Sequence, residues 1–346
     1  MIPNMRPNVF TTCNIIKKIQ EKQYKAIGIV ACRYNASSAP LEIKKIESAQ
    51  QVFTLFNEYS NIATYAIAME QNVPCEMYVI DVNENDLNQY KQAIDLLLKQ
   101  ENIYCVISDF NPPELISHMK ARLEDDNFCV SQKLCVCNAN QSQDVLLTAK
   151  AANCSRMLIA YPNIALPFRE ADVANALLAA AITKGDFLKS NLTGVRFNGT
   201  YFVNQELTDE KKNELLYKGV TVLESIGNDV EVIRSVTTKT LNQLGEKDHT
   251  YRDISVIHAL DTVSEALTSL LKKRLNGITT ASSSLGSILT LVICELNALK
   301  QDGIISNYER PVVRLDENDP SICIIEVSVL LAQGVNQIYI NLNINL

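Results

Sequence analysis

The chain has 346 residues, of which 47% are hydrophobic and 21% charged, and its formal net charge is -7. This length allows two domains of ordinary size, and the composition indicates a folded rather than a disordered chain. The negative charge argues against a protein that coats nucleic acid, because neutralising phosphates requires a dense surface of Lys and Arg.

The N-terminal sequence and the ten cysteines bear on the cellular compartment. Residues 1–9 lack the basic region and apolar stretch of a secretory signal, and no apolar run in the sequence reaches bilayer length. Thiols in such a chain are expected to stay reduced. Seven cysteines lie in apolar, strand-like runs, where we expect them to pack as small hydrophobic side chains: Cys32, Cys75, Cys105, Cys129, Cys135, Cys154 and Cys323.

Short apolar runs alternate with amphipathic stretches from residue 26 to about residue 161, and an alanine-rich stretch follows. Before them, residues 1–13 show little periodicity and are predicted to form an extended arm. The predicted strands cover residues 26–32, 75–82, 103–108, 128–137 and 157–161, and the predicted helices cover residues 49–70, 84–99, 112–123, 142–152 and 169–184. This alternation predicts an α/β domain with a mainly parallel or mixed sheet that is covered on both faces.

The second half of the chain has a different pattern. Thr208 is predicted to cap a helix over residues 209–218, and Gly227 lies in a short loop between two apolar runs, which predicts a hairpin. Further helices are predicted over residues 257–275 and 285–299, with Gly303 closing the second, and strands over residues 311–315, 321–331 and 337–346. We expect a smaller α+β C-terminal domain with extended terminal arms.

The predicted domain limits follow from these changes of pattern. They are an N-terminal arm (1–22), an α/β outer domain (23–242), an α+β inner domain (243–335) that shares strands around residues 220–238, and a C-terminal strand (336–346).

The final segment alternates strictly between apolar and polar residues. Its apolar face consists of Ile338, Ile340, Leu342, Ile344 and Leu346. This period of two predicts a half-buried strand. From the alternation alone, the strand could equally complete its own sheet or add to the sheet of a neighbouring molecule.

Motifs for catalysis or cofactor binding are weak. The turns after the first and third strands contain no glycine, whereas a nucleotide site usually needs a glycine-rich turn there. Cys135 and Cys137 share one strand face and are interpreted as core residues rather than metal ligands, because suitably spaced partners are missing. His258 beside Asp261 is expected to be an ordinary surface pair. We therefore predict no catalytic, cofactor-binding or metal-binding residues, no cofactor and no enzymatic activity.

A set of ordered residues carries a family resemblance. Residues 230–240 form an apolar strand with Arg234 followed by Thr237 and Thr238, and a polar link leads to Arg252, which opens an R-x-I-x-V run. A helix containing Asp261, a second helix and closing strands follow. This order resembles the C-terminal half of contractile tail sheath proteins of phages and R-type bacteriocins. The likeness covers residues 219–346 strongly and residues 26–82 weakly, and a large inserted domain is missing.

The resemblance implies a mechanical role. Sheath subunits stack as rings around an inner tube, and the lattice contracts to drive the tube through a cell envelope. Terminal arms add strands to neighbouring subunits, and the matching pieces here are residues 337–346 and the N-terminal arm with Ile2, Val9 and Phe10.

The partners that the resemblance implies are further copies of the chain in a helical homo-oligomer, the inner tail tube protein, and the baseplate and tail terminator proteins. Neither nucleic acid nor membrane insertion is expected. The implied location is a virion tail or tail-like particle assembled in the bacterial cytoplasm.

The second C-terminal helix is a candidate for contact with the inner tube, through Glu295, Lys300 and Asp302. The alternative is a core helix with a solvated outer face. Two rival functions stay open at this point: an α/β enzyme or nucleotide-binding protein of the bacterial or phage cytosol, and a tube or terminator subunit, against which the length argues.

Overall fold

A computed structural model describes residues 25–33, 40–73, 75–125, 128–129, 131–139, 144–184, 192–272, 282–319 and 322–332. The predicted N-terminal arm, with Ile2, Val9 and Phe10, and the predicted strand over residues 337–346 lie outside these described residues.

The strands of the described residues are β1 (Ala26–Cys32), β2 (Lys44–Ile46), β3 (Met77–Val82), β4 (Ile103–Ser108), β5 (Leu134–Asn138), β6 (Met157–Tyr161), β7 (Ile164–Ala165), β8 (Arg196–Phe197), β9 (Phe202–Val203), β10 (Thr221–Ile226), β11 (Asp229–Arg234), β12 (Ile305–Tyr308), β13 (Val312–Leu315), β14 (Cys323–Glu326) and β15 (Val329–Leu331). The helices are α1 (Ala49–Phe56), α2 (Asn61–Glu70), α3 (Leu87–Leu98), α4 (Pro113–Leu123), α5 (Val145–Ala152), α6 (Ala174–Lys184), α7 (Asp209–Tyr217), α8 (Ile254–Lys272) and α9 (Ser282–Gln301).

The largest sheet in the described chain has the order β2-β3-β1-β4-β5-β6-β10-β11-β8. Strands β3, β1, β4, β5, β6 and β10 run parallel to their neighbours in that order. Strands β2, β11 and β8 pair antiparallel. The sheet is therefore mixed with a parallel centre, which confirms the predicted α/β fold class.

Helices cover both faces of this sheet, which explains why its central strands are apolar at nearly every position. In β1, Ile27 and Ile29 belong to one buried cluster, formed with α1, α2, α6 and the start of α8. Ala26 and Val30 belong to the other, formed with α3, α4, α5 and α7. Cys135 and Cys137 both lie in the second cluster, as their period-two spacing predicts.

Several predicted boundaries needed correction. The single helix expected over residues 49–70 is two helices, because Asn57 takes a left-handed φ of 77° and Ser60 caps a new helix by accepting the Ala63 N–H at 3.1 Å. The strand expected over residues 128–137 begins only at Leu134, and the run over residues 321–331 forms two strands instead of one. Strand β12 was not predicted.

Other local predictions hold. Thr208 caps α7 by accepting the Lys211 N–H, and Gly303 follows α9 with a φ of 72°. Strands β10 and β11 form the predicted hairpin, closing at the Ile226–Asp229 pair. The prediction for Cys323 was wrong, because this side chain is exposed on β14 and does not pack in an apolar core.

The C-terminal part contains helices α8 and α9 and two small antiparallel sheets, β12-β15 and β13-β14. Its buried core consists of Val263, Ile288, Val292, Leu296, Leu299 and Ile305. Helix α8 contributes to both parts of the molecule, because Ile254 and Ile257 lie in the core of the large sheet. The predicted division near residue 243 stays a prediction.

Helix α8 is long and apolar enough to cross a membrane by length and composition, contrary to the expectation from the sequence. Its first half is packed against the large sheet, where Ile254, Ile257 and Asp261 are buried. A buried helix of a globular core passes the same test, so the length of α8 is weak support for a membrane segment.

Candidate functional site: a polar seam between the large sheet and helix α8

The residues that carry the family resemblance converge on one region. We call it the polar seam and define it as Arg234, Thr237, Thr238, Arg252, Asp253 and Asp261 with their partners. The seam begins where β11 ends and runs along the start of α8.

Arg234 and Asp253 form its first contact. The Arg234 guanidinium donates to Asp253 Oδ1 at 2.7 Å and to Oδ2 at 2.9 Å. Both side chains are about one-fifth to one-quarter exposed, so the ion pair is partly shielded from water. Beside it, Val236 and Asp253 form a β-bridge. The pair therefore holds the segment after β11 against the segment that enters α8.

The two threonines extend this contact in opposite directions. Thr237 N–H donates to the Arg252 carbonyl at 2.7 Å and its hydroxyl donates to the Tyr251 carbonyl at 2.6 Å. Thr238 Oγ1 accepts the Cys154 N–H at 2.9 Å and donates to the Cys154 carbonyl at 3.0 Å. Both threonines are fully buried, and each satisfies backbone groups that would otherwise lack partners. The two threonines therefore connect the segment that precedes α8 to the segment that precedes β6.

Asp261 is the most deeply buried charge of the seam, with 2% of its surface exposed. Arg156 donates to its two carboxylate oxygens at 2.7 and 3.0 Å. Tyr104 donates its hydroxyl to Oδ2 at 2.9 Å. Burial raises the pKa of Tyr104 well above its usual range, and the neighbouring Asp261 charge adds to the shift, so this phenol remains a donor.

This geometry corrects the surface pair expected for His258 and Asp261. His258 is also buried, and its ring lies 5.6 Å from that of Tyr104. Burial lowers the pKa of His258 to about 4, so the ring is neutral at pH 7. Arg156, Tyr104 and Asp253 were not identified as functional residues from the sequence. Asp261 and Arg156 lie 105 residues apart, and no local pattern connects them.

Arg252, the remaining motif residue, has a different environment. Its Nη2 donates to the Leu216 carbonyl at 3.2 Å, and its guanidinium lies 5.7 Å from the centre of the Tyr217 ring. The seam as a whole can hold α8 in one orientation on the sheet. Its acidic groups, Asp253 and Asp261, are engaged with arginines, which suits a structural role.

A second polar cluster lies at the carboxyl ends of the parallel strands, where α/β proteins usually bind ligands. Asp109, after β4, accepts hydrogen bonds from Tyr90 at 2.6 Å, Asn61 at 2.7 Å and the Cys32 N–H at 2.9 Å. Burial raises the pKa of Asp109. Side chains of the chain itself satisfy this carboxylate, and a buried acid would repel a phosphate. The geometry therefore gives no support to a nucleotide site.

Asp172 lies near this cluster, two residues before α6 begins. Its Oδ1 accepts the Ile164 and Ala174 N–H groups at 2.9 and 3.0 Å, and its Oδ2 accepts from Asn138 at 2.9 Å. Burial raises the pKa of Asp172 to about 6, although these hydrogen bonds oppose the shift.

The buried thiols on β5 bear on metal ligation. Burial raises the pKa of Cys137 to about 12, so this thiol stays protonated at pH 7. In the described ranges, no group of three or more His, Cys, Asp and Glu side chains is arranged to hold a metal ion.

The predicted inner-tube residues lie at the end of α9. Lys300 is exposed and donates to Asn307 Oδ1 at 3.0 Å, Asp302 is exposed just after the helix, and Glu295 is half-buried. The opposite face of α9 packs in the C-terminal core through Val292 and Leu296. The structure brings these three residues to one end of a helix with an open outer face, and their contact with a tube stays a prediction.

Comparison with known families decides the meaning of the seam. Residues 246–345 match the family model for the phage tail sheath C-terminal domain. This part of the chain is therefore similar to the tail sheath C-terminal domain. Arg252, Asp253 and Asp261 of the seam lie within the matched residues. No curated protein sequence matches the chain.

Solved structures extend the likeness to the whole fold. The helical sheath of the anti-feeding prophage in its contracted state is 17% identical, covers 99% of this chain and 100% of its own, and has a TM-score of 0.74. A sheath tail protein from Listeria innocua is 13% identical, with 89% and 92% covered and a TM-score of 0.68. One from Desulfitobacterium hafniense is 11% identical, with 95% and 100% covered and a TM-score of 0.66.

These findings confirm the resemblance to contractile tail sheath proteins and the predicted fold class. The domain match and the fold support a structural sheath subunit, and they do not favour the alternative of an α/β enzyme.

We predict that Asp261→Asn lowers the free energy of unfolding by about 3 kcal/mol, because it leaves the Arg156 charge partly buried without its partner. Tyr104→Phe should lower it by about 1 kcal/mol, since only one hydrogen bond is lost. Urea unfolding of the purified proteins measures both. The control is Arg196→Gln, which breaks the exposed Arg196–Glu231 pair and should change the value by under about 1 kcal/mol. An Asp261→Asn protein as stable as the Arg196→Gln control would contradict this role.

We predict a pH dependence from Asp172. Its folded-state pKa of about 6 exceeds the ordinary value of 3.8, so the folded protein holds a proton that the unfolded chain releases. This contribution to stability is present below pH 4 and is lost as the pH rises to about 6. Asp172→Asn should remove it, so that the variant gains about 2 kcal/mol relative to the wild type over this window.

Urea unfolding at pH 4, 5, 6 and 7 tests the Asp172 prediction. The matched control is Asp209→Asn, since the Asp209 side chain is 94% exposed and should leave the wild-type profile unchanged. If the Asp172→Asn and wild-type profiles run parallel between pH 4 and 6, Asp172 does not retain a proton in the folded state.

Proposed function

We propose that the chain is a structural subunit of a contractile tail sheath, which polymerises around an inner tube and contracts to drive that tube through a cell envelope. The observation that carries this proposal is the match of residues 246–345 to the tail sheath C-terminal domain. The domain ends a chain whose fold, over 99% of its length, resembles that of a helical sheath in a contracted state. The role is structural rather than catalytic.

The partners follow from this role. They are other copies of the chain in a helical array of stacked rings, an inner tail tube protein, and baseplate and tail terminator proteins. Related folds occur in a helical sheath and in baseplate assemblies of the anti-feeding prophage, which supports self-assembly beside a baseplate. We place the protein in a virion tail or tail-like particle, assembled in the bacterial cytoplasm, without nucleic acid or membrane insertion. Residues 23–242 would form the outer domain and residues 243–335 the inner one.

Rigid attachment of α8 supports a mechanical role. Contraction of a lattice requires subunit bodies to rotate while each keeps its shape. The Asp261–Arg156 pair and the buried Thr238 contacts resist separation of α8 from the sheet, because breaking them would leave buried polar groups without partners. Exposed ion pairs between bodies, each contributing under about 1 kcal/mol, can break and form again.

Strand donation would keep rotating subunits connected. Sheets β12-β15 and β13-β14 each contain two strands among the described residues, and two-stranded sheets are only marginally stable alone. An added strand from a neighbour would complete such a sheet. If such a strand buried the five apolar side chains of residues 338–346 and formed about five hydrogen bonds, the gain would be at most about 10–20 kcal/mol before ordering costs. Strand pairings of this strength would persist during contraction.

We predict that deletion of residues 337–346 yields a folded protein that does not polymerise, because the donated strand is lost while the cores of the described residues stay intact. Sedimentation and electron microscopy measure assembly, and circular dichroism measures folding. As a control, the polar positions Gln337, Tyr339 and Asn341 are replaced by Thr, which preserves the strand pattern and should preserve assembly. Truncated protein that forms sheath-length tubes would exclude strand donation.

The end of α9 is proposed to contact the inner tube. Lys300 and Asp302 are exposed there and Glu295 is half-buried, while the other face of the helix is held in the C-terminal core. Exposed charged groups at the edge of an interface affect the recognition of a partner and the rate of association more than they affect folding.

We predict that Lys300→Glu with Asp302→Lys reduces sheath assembly on purified tubes by at least about fivefold and leaves folding unchanged, because complementary charges become repulsive. Co-sedimentation with tubes measures the effect. Lys150→Glu, at an exposed site on α5, serves as the control. If the wild type, the double variant and the Lys150→Glu control assembled equally well on tubes, the tube contact would lie elsewhere.

A further inference from the structure

A group of cationic side chains surrounds Tyr217 at the end of α7. We call it the cationic patch and define it as Lys218, Lys247 and Arg252 around Tyr217, with Lys239 beside Asp248 in the adjoining segment. Lys247 Nζ lies 5.3 Å and Arg252 Cζ 5.7 Å from the centre of the Tyr217 ring. Lys218 and Lys247 are exposed, and Asp248, beside Lys239, offsets part of the charge. The patch is a basic surface on a chain whose net charge is -7.

The positive charge of the patch is incompletely neutralised by the chain itself. Asp253, the neighbouring carboxylate, is engaged by Arg234 through both of its oxygens. Among the described residues, Arg252 Nε is buried without a hydrogen-bond acceptor. The pKa of Arg252 is lowered by burial and by the charge of Arg234, and that of Tyr217 is lowered chiefly by Lys247. Asp253 is paired with Arg234 and not with Arg252, so an external anion would stabilise the group.

An acidic turn lies in a different part of the molecule, after β13. We define it as Asp316, Glu317 and Asp319. Asp316 Oδ1 accepts the N–H groups of Asn318 at 2.8 Å and Asp319 at 3.0 Å, and these hydrogen bonds lower its pKa. Glu317 and Asp319 are exposed. The turn thus presents three acidic side chains at the tip of the β13-β14 hairpin, and Asp316 is held in place by its two hydrogen bonds.

We propose that the cationic patch of one copy binds the acidic turn of a second copy. This inference rests on the proposed sheath function and adds a specific contact between subunit bodies to it. Carboxylates suit Arg and Lys beside an aromatic ring, and a hairpin tip can reach a surface on another molecule. On an acidic chain, such a patch also offsets the repulsion between copies.

The symmetry of this contact fits a helical array. The patch and the turn are different surfaces of one chain, so their contact is heterologous. Heterologous contacts produce rings or open helices, whereas a patch that binds itself produces a closed dimer. Exposed ion pairs of this kind weaken with salt and exchange readily, which suits a body contact that changes on contraction.

Charge reversal and exchange test the proposal in full-length protein. Lys247→Glu alone and Glu317→Lys alone should each raise the concentration needed for assembly by about fivefold in low salt. The double variant, which exchanges the two charges, should restore assembly to near the wild-type value. Lys150→Glu, an equal change of charge on α5, should have little effect. Circular dichroism confirms that each variant folds.

Carbodiimide cross-linking of assembled wild-type protein gives a direct readout, because it joins neighbouring ammonium and carboxylate groups. Mass spectrometry should find Lys247 or Lys218 joined to Glu317 or Asp319 of another copy. Cylinders that form normally with either single variant, or that cross-link the patch to a tube protein instead, would overturn this inference and leave the sheath function intact. Failure of the wild type to form cylinders would overturn the sheath function and the contact together.

Discussion

Burial of the Asp261 carboxylate is the constraint on which the arrangement of the two parts depends. A charge with 2% exposure is tolerated only with a cation and hydrogen-bond donors, and Arg156 and Tyr104 supply these from the large sheet. Helix α8 can therefore lie on the sheet in one rotation only. Because Val263 and the second half of α8 belong to the C-terminal core, the same pairing determines how that core is attached. A sheath subunit that rotates as one body needs such an attachment.

The family motif acquires a physical explanation from this seam. The hydroxyls of Thr237 and Thr238 satisfy buried backbone groups, and Arg234 pairs with Asp253. At the carboxyl edge of the sheet, where an α/β enzyme would bind a ligand, the side chains of Tyr90 and Asn61 donate hydrogen bonds to the Asp109 carboxylate. The proposed function therefore depends on the surfaces of the molecule and on the contacts that hold its two parts together.

Much of the fold could be predicted from the sequence, since period-two strands, caps and short turns are local signals. The β10-β11 hairpin, the Thr208 cap and the shared face of Cys135 and Cys137 follow from neighbours in the chain. The partner of Asp261 could not be predicted, because Arg156 is 105 residues away. One signal was available: Ile254, Ile257, His258 and Asp261 follow the i, i+3, i+4, i+7 spacing of a buried helix face, and an acid on such a face requires a partner.

Electron microscopy of the purified full-length chain tests the central claim most directly, namely that rigid bodies joined by exchanged strands build a contractile lattice. The account predicts hollow, striated cylinders whose reconstruction shows α8 on the sheet of its own subunit and residues 337–346 in the sheet of a neighbour. A protein that remains monomeric at all concentrations and salt conditions, with residues 337–346 paired inside its own fold, would contradict it.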